Sequence, residues 1–332
     1  MKKIKFIFII IYCLFSLESS ANDENFNTWL KNFKLYAQKE GISVKTVNSV
    51  MDKAIFLPKV IEYDRYQPEF YEDTFTYINK RTNEQKVIKG KEIYLSNKKI
   101  INKVENKFDV EKELLLSLMG IETNYGTYLG KMDIISSLAT LSFDKRRSKF
   151  FTNELVTLLK LIDLQLVNKD KLFGSWAGAF GNFQFMPTTI KNYAIDYDFD
   201  NKIDLKSPDD SFASAANYIN RIGWKKSEPC FFQVKLKDNT PDYLLNTSAK
   251  KLKNIKKVSF FKKYVINYNQ LDIDDSLKAA LITPDKEIVE NANKLYPAYL
   301  VFKNYELVLK WNRSLRFALA VCTLKNKFKN EL

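Results

Sequence analysis

Residues 120–131 read GIETNYGTYLGK and follow directly on the apolar run LLLSLM (114–119). On a helix, Leu115, Leu118, Met119 and Glu122 share one face through i+3 and i+4 spacing, so a lone carboxylic acid extends the core-facing stripe. A charge is expensive there, and withdrawal from water raises the pKa of a carboxyl. A carboxyl that keeps its proton near neutral pH is what a general acid requires. The alternative is a helix-end glutamate turned outward or paired with a Lys or Arg. Glycine placement favours chemistry. Six of the nine glycines (Gly120, Gly126, Gly130, Gly174, Gly178 and Gly181) fall between 120 and 181. Glycine suits positions that need φ > 0 or a close approach, so GIETNYGTYLG and FGSWAGAFGNFQFMP (173–187) read as walls of a site. The second is apolar around the single amide of Gln184, as in a ligand-facing groove.

The 332-residue chain contains no histidine, which excludes Ser-His-Asp, Cys-His and His-ligated zinc chemistry. Catalysis must then use carboxylates, Lys, Tyr or Ser. The net charge of +14 admits two readings: a Lys-, Asn- and Ile-rich coding bias, or a polyanionic partner such as nucleic acid, anionic lipid or an acidic wall polymer. The N-terminus, MKKIKFIFIIIYCLFSLESSAND, has three lysines, an apolar stretch from Phe6 to Leu17, and small residues ending at Ala21. That layout is a secretory signal over 1–21, its apolar run shorter than the roughly 20 residues of a membrane span. Tyr12 is too bulky for lipoprotein cleavage before Cys13, so lipid anchoring there is not expected. The expected product is a soluble, exported, periplasmic protein, for which nucleic acid is not an expected partner. Cys230 and Cys322 remain as either a disulfide or two buried thiols.

Helical periodicity runs through 22–61, 91–106, 109–121, 148–166, 209–222 and 314–328. Asp109 is the expected N-cap of the third stretch, with Glu111 and Glu113 in its first turn. Beyond Trp224, FFQVKLK (231–237) and KVSFFKKYVINYN (257–269) read as strands between proline-marked turns. The class is α+β, mostly helical. Between these regions, DYDFDNKIDLKSPDD (196–210) packs six aspartates into fifteen residues of a basic chain. Asp196, Asp198 and Asp200 have the 1, 3, 5 spacing of an EF-hand loop, with Lys202 placed to offer its carbonyl and Asn201 in place of the turn glycine. Position 12 is Ser207, so the usual bidentate glutamate is missing. A structural Ca²⁺ site is expected; Na⁺ and a solvated acidic turn are the alternatives.

Four blocks in register, GIETNYGTYLGK, LATLSFDKRR (138–147), GSWAGAFGNFQFMP (174–187) and AANYINRIGW (215–224), resemble the lytic murein transglycosylase B family. The resemblance runs from about Tyr63 to Leu324. It implies a lysozyme-like core with an N-terminal helical domain and a small β subdomain. The corresponding segments are 22–108 (helical domain), 109–227 (catalytic core with the EF-hand-like loop), 228–300 (β-rich subdomain) and 301–332 (C-terminal segment and helix packing back on the core). It also implies non-hydrolytic cleavage of the β-1,4 bond between N-acetylmuramic acid and N-acetylglucosamine in peptidoglycan, leaving 1,6-anhydromuramic ends. Glu122 would be the single acid/base, and no cofactor is required for the chemistry. A hydrolase would need a second carboxylate, for which Asp133 and Asp144 are the nearest in sequence. A non-catalytic peptidoglycan-binding protein would not need the acid. Other implied roles are Ser175 and Gln184 beside the acid, Phe185, Met186 and Tyr218 against sugar rings, and Arg146 and Arg147 for lactyl or peptide carboxylates. Asn312 and Tyr77 would lie near the cleft, and an aspartate at Asp210 would close the cation loop. Trp311 stands where the family commonly has Tyr. The implied partners are peptidoglycan glycan strands, with cell-wall synthesis or remodelling proteins left open.

Overall fold

The periodic segments become helices in the computed structural model, which describes residues 24–66, 72–286 and 288–332. The expected signal segment 1–21, with Cys13, lies outside the described residues. Along the chain the helices are α1 (24–39), α2 (Val44–Met51), α3 (Pro58–Arg65), α4 (Thr74–Arg81), α5 (Glu84–Ser96), α6 (Lys98–Phe108) and α7 (Lys112–Thr123). They continue as α8 (Ile134–Phe143), α9 (Ser148–Asp163), α10 (Pro187–Tyr193), α11 (Pro208–Arg221), α12 (Val258–Phe261), α13 (Lys303–Trp311) and α14 (Leu315–Phe328). The strands are β1 (Met132–Asp133), β2 (Phe173–Gly174), β3 (Phe231–Val234), β4 (Leu245–Asn246), β5 (Lys256–Lys257), β6 (Lys278–Ile282) and β7 (Ala298–Val301). The class is α+β and mostly helical. No described helix is long and apolar enough to cross a membrane.

The chain divides into two compact units. The first takes the described residues of Met1–Tyr66 with Leu129–Asn192 and Phe199–Asp204. Its core is α8 packed on α9, and α8 is buried from Ile134 to Ser142. Two of the hydroxyls buried on α8 have partners, Ser136 Oγ and Thr140 Oγ1 accepting the backbone N–H groups of Ile55 and Leu57, whereas those of Ser137 and Ser142 have none among the described residues. An aromatic cluster extends that core, Phe26 meeting Phe143 edge-on at 5.6 Å and Trp29 stacking on Phe33 at 5.1 Å.

The second unit takes the described residues of Gln67–Tyr128 with Tyr193–Asp198 and Leu205–Leu332. In it α7 packs on α14, and α6 on α11. Because α7 is buried from Leu114 through Gly120, its residues read as a continuous apolar run. Its start differs from the expected one. Asp109 is a left-handed residue ending α6, and Glu111 precedes the first turn of α7 without capping it. Glu111 is instead drawn into the core, where it accepts from Trp224 Nε1 and Lys325 Nζ. The sheet runs β3–β7–β6–β4, antiparallel except for β4 beside β6, and β5 also pairs with β6. The expected strand over 257–269 is corrected: Lys256–Lys257 pairs with β6, α12 follows at once, and beyond it Val265 makes an isolated antiparallel bridge to Leu236. Val258, Phe261, Val265 and Tyr268 are all buried at three- and four-residue spacing, a helical period hidden by the β-branched and aromatic residues between them. Cys230 and Cys322 form a disulfide that joins the residue before β3 to α14, which settles the choice left open by the sequence.

Candidate active site

Glu122 occupies the last turn of α7, and the way that helix ends determines where the carboxylate sits. Asn124 closes it at φ 50°, and Tyr125 and Gly126 continue in left-handed backbone at φ 59° and 78°. For a tyrosine this conformation is an outlier that needs support. The support is the buried hydroxyl, which donates to Lys86 O at 2.9 Å, and burial pushes its pKa well up. Lys86 returns the contact: its Nζ donates to Gly120 O and Asn124 Oδ1, both at 2.8 Å. A cation on the free carbonyls of a helix C-terminus is favourable. Burial, followed by the neighbouring charges of Lys89 and Arg81, brings the Lys86 pKa down to about 8.

Glu122 is half-buried, with Oε1 accepting from Trp311 Nε1 at 2.9 Å. Behind the indole runs a stack of three rings, Trp311 on Tyr218 at 5.0 Å and Tyr218 on Tyr193 at 4.3 Å. Tyr218 OH donates to Lys310 O at 3.2 Å, and burial pushes that hydroxyl up to about 12. Each ring thus fixes the next, and the last fixes the carboxylate. Glu122 opens on a cavity of about 590 Å³ whose wall includes Lys80, Lys86, Lys89, Asn124 and Tyr128. Glu92 is the second carboxylate on that wall.

The remaining sequence candidates of this unit take various positions. Asn312 ends α13, half-buried beside Trp311 in the chain. Tyr77 is buried on α4 under the Arg81 guanidinium, 3.6 Å from its ring centre. Asp196, Asp198 and Asp210 come together, with carboxylate oxygens within 4.8 Å of one another. Asp210 is buried at the start of α11 and accepts from Tyr197 N at 2.7 Å. Three hard oxygen donors at such spacing suit Ca²⁺, whose ligands stand about 2.3–2.6 Å from the ion.

The first unit carries the others. Asp200 Oδ1 accepts from Lys202 N at 2.8 Å, and Asn201 takes the left-handed conformation expected of it at φ 68°. Ser175 Oγ accepts from Ala179 N at 3.0 Å inside a tight turn. That turn leaves no room at Gly130, where a Cβ would fall 2.0 Å from Gly174 O. Gln184, itself at φ 50°, donates to Leu129 O and Gly181 O. Phe185 is 3 % exposed and so mostly committed to the core, whereas Met186 is half-buried. Arg146 and Arg147 both pair with the buried Asp64, so a protein carboxylate already faces the pair assigned to substrate carboxylates. Asp133 caps α8 and Asp144 pairs with Arg65, roles unlike that of a water-activating base.

Trp311, Tyr193 and Lys86 escaped the sequence reading of the site. In the sequence Trp311 is only a departure from the family pattern, and Lys86 is one of 53 basic residues with nothing in its spacing to single it out.

The family model described as Transglycosylase SLT domain matches residues 25–326. The chain belongs to this family. The SLT-domain chain is 32% identical over 234 residues to membrane-bound lytic murein transglycosylase B of Escherichia coli (strain K12), a match covering 68% of this chain and 58% of that protein. It thus spans little more than half the length of that curated relative. Its fold is similar to that of SltB3 from Pseudomonas aeruginosa, solved in complex with NAG-NAM-pentapeptide: TM-score 0.81, 32% identity, 92% of this chain and 79% of the other covered. It is also similar to the Escherichia coli lytic transglycosylase Slt35, solved in complex with calcium, at TM-score 0.74 and 25% identity, with 94% of each chain covered.

Proposed function

We propose that this protein is a peptidoglycan lytic transglycosylase in which Glu122 is the single acid/base. The observation that carries the proposal is the Glu122 carboxyl, half-buried at a left-handed helix end, held by Trp311 and facing a cavity. Family membership and the NAG-NAM-pentapeptide bound by SltB3 support the substrate class. In the first step Glu122 gives its proton to the glycosidic oxygen, and the bond from that oxygen to C1 of the muramic ring breaks. In the second, the C6 hydroxyl of the same ring attacks C1 and returns its proton to Glu122. The new O6–C1 bond closes a 1,6-anhydro sugar, and no water is consumed. An intramolecular hydroxyl has a large effective molarity, so no second carboxylate is needed. The Trp311 N–H is placed to stabilise the negative carboxylate between the two steps.

The resemblance further supports Ser175, Gln184, Met186, Arg146 and Arg147 in the first unit, and Tyr77, Tyr218 and Asn312 in the second, as contributors to glycan or stem-peptide recognition. Asp196, Asp198 and Asp210 would hold a structural Ca²⁺, as the calcium complex of Slt35 suggests. The ion would stiffen the loop before α11 without entering the reaction. The Cys230–Cys322 disulfide supports export to an oxidising compartment such as the periplasm. Mass spectrometry of murein sacculi digested with residues 22–332 tests the reaction. Anhydromuramic ends are expected, and none from Glu122→Gln. Reducing muramic ends would instead identify a hydrolase, for which Glu92 is the acid to examine.

A further inference from the structure

We propose that the lysine-rich surface around β5 and β6 docks on the anionic face of a phospholipid bilayer. Between Asp242 and Asp272 the chain carries seven lysines (250, 251, 253, 256, 257, 262 and 263) and no acid, and all seven are exposed. The ion pairs nearby are Lys225–Glu228, Lys286–Asp242, Lys294–Asp242 and Lys303–Glu306. Among the described residues, none of the seven lysines takes part in an ion pair, nor does the exposed Lys278. The β5–β6 register sets Lys257 directly opposite Lys278. Like charges at facing ladder positions are destabilising, and a bound anion relieves that repulsion.

Charge alone would suit any polyanion. The apolar groups among these lysines favour a bilayer. Ile255, next to β5 in the chain, is 44% exposed. It lines a cavity of about 370 Å³ together with Leu252, Leu277, Ala279, Val301 and Phe302. Lys278 stands on the same wall, as do Glu228 and Glu306, each neutralised by its ion pair with Lys225 or Lys303. A lysine cluster beside an exposed apolar residue and an apolar recess matches a surface that presents anionic headgroups over acyl chains. A soluble polyanion would satisfy only the lysines. The inference does not depend on the reaction assigned to Glu122.

The test is sedimentation of residues 22–332, the form expected after export, with vesicles of equal parts phosphatidylglycerol and phosphatidylcholine. The patch variant is Lys256→Gln/Lys257→Gln/Lys278→Gln. Its control, Lys45→Gln/Lys98→Gln/Lys99→Gln, makes the same change in net charge at exposed positions elsewhere. Circular dichroism verifies that both fold. At roughly fivefold per lysine near the surface, the patch variant should bind about a hundredfold more weakly. The control should lose no more than about threefold, through long-range charge that salt largely screens. Ile255→Ser should bind at least about threefold more weakly, having lost an apolar contact. Equal losses in patch and control would overturn the proposal in favour of overall charge. Unchanged vesicle binding by Ile255→Ser would reassign the patch to a soluble polyanion, and equal binding to pure phosphatidylcholine would remove the role of anionic lipid.

Discussion

Two side chains near Glu122 carry separable consequences. Trp311 contributes a hydrogen bond to the carboxylate and a ring to the stack with Tyr218. Trp311→Phe removes the first while keeping most of the second. A hydrogen bond to a charged group contributes about 1.5–3 kcal/mol, so sacculus solubilisation should slow roughly tenfold to a hundredfold while the melting temperature changes little. A large fall in melting temperature with an unchanged rate per folded molecule would mean that the indole serves packing alone. Lys86 carries a pH signature. Its pKa is about 8 in the folded chain against an ordinary lysine value of 10.5. Below pH 8 both folded and unfolded states hold the proton, and the cost of burying the ammonium is present in full. Between pH 8 and 10 the folded state sheds the proton first, so the unfolded state binds more protons and stability rises with pH. Urea unfolding at pH 7, 8.5 and 9.5 should therefore show wild type gaining on Lys86→Gln as pH rises. Parallel profiles would place the ammonium in water.

At the scale of elements, the loop leading into α11 gathers Asp196, Asp198 and Asp210. Three carboxylates this close repel one another unless a cation or protons intervene. Calcium should raise the melting temperature of the wild type, by an amount corresponding to about 2.7 kcal/mol at a hundredfold excess over Kd. Asp196→Ala/Asp198→Ala should remove that response. An equal shift in the variant would indicate binding elsewhere. The acidic cluster was legible in the sequence because six aspartates in a basic chain stand out, whereas the path of the chain around them was not. The long helices were legible for the same kind of reason. Burial on α7 and periodicity on α9 and α11 both leave a pattern. Errors arose where a local rule met a tertiary demand. Asp109 looks like a cap, but the chain there turns left-handed and delivers Glu111 to Lys325. Gly90 carries no motif, yet a Cβ at that position would lie 2.2 Å from the Phe328 ring and 2.6 Å from Tyr125 OH. Such close packing is set by residues distant in sequence and leaves no local period to read.

For the molecule as a whole, the sequence separates what the chain excludes from what it assembles. The absence of histidine narrowed the chemistry at once, but the contact between Trp311 and Glu122 spans 189 positions and the disulfide spans 92. Neither separation has a sequence signature, because each depends on how α13 and α14 return to α7 and the sheet. The disulfide adds a stability that a local contact cannot. Joining residues this far apart removes many extended conformations from the unfolded chain, an effect of about 4.6 kcal/mol in the chain-entropy account, where disulfides typically deliver about 2–4 kcal/mol. Cys322 is fully buried on α14, so each cysteine replaced alone would also leave a buried thiol, and the informative variant is Cys230→Ser/Cys322→Ser. Its guanidinium unfolding midpoint should fall to that of the reduced wild type, while oxidised wild type unfolds at a higher midpoint and is more stable by about 2–4 kcal/mol. The slope of the transition should be steeper without the cross-link, because the unfolded chain then exposes more surface. Activity on sacculi at low temperature should persist, since neither sulfur lies on the cavity wall beside Glu122. Coincident midpoints for oxidised wild type and the variant would mean that the cross-link leaves the unfolded ensemble as it was.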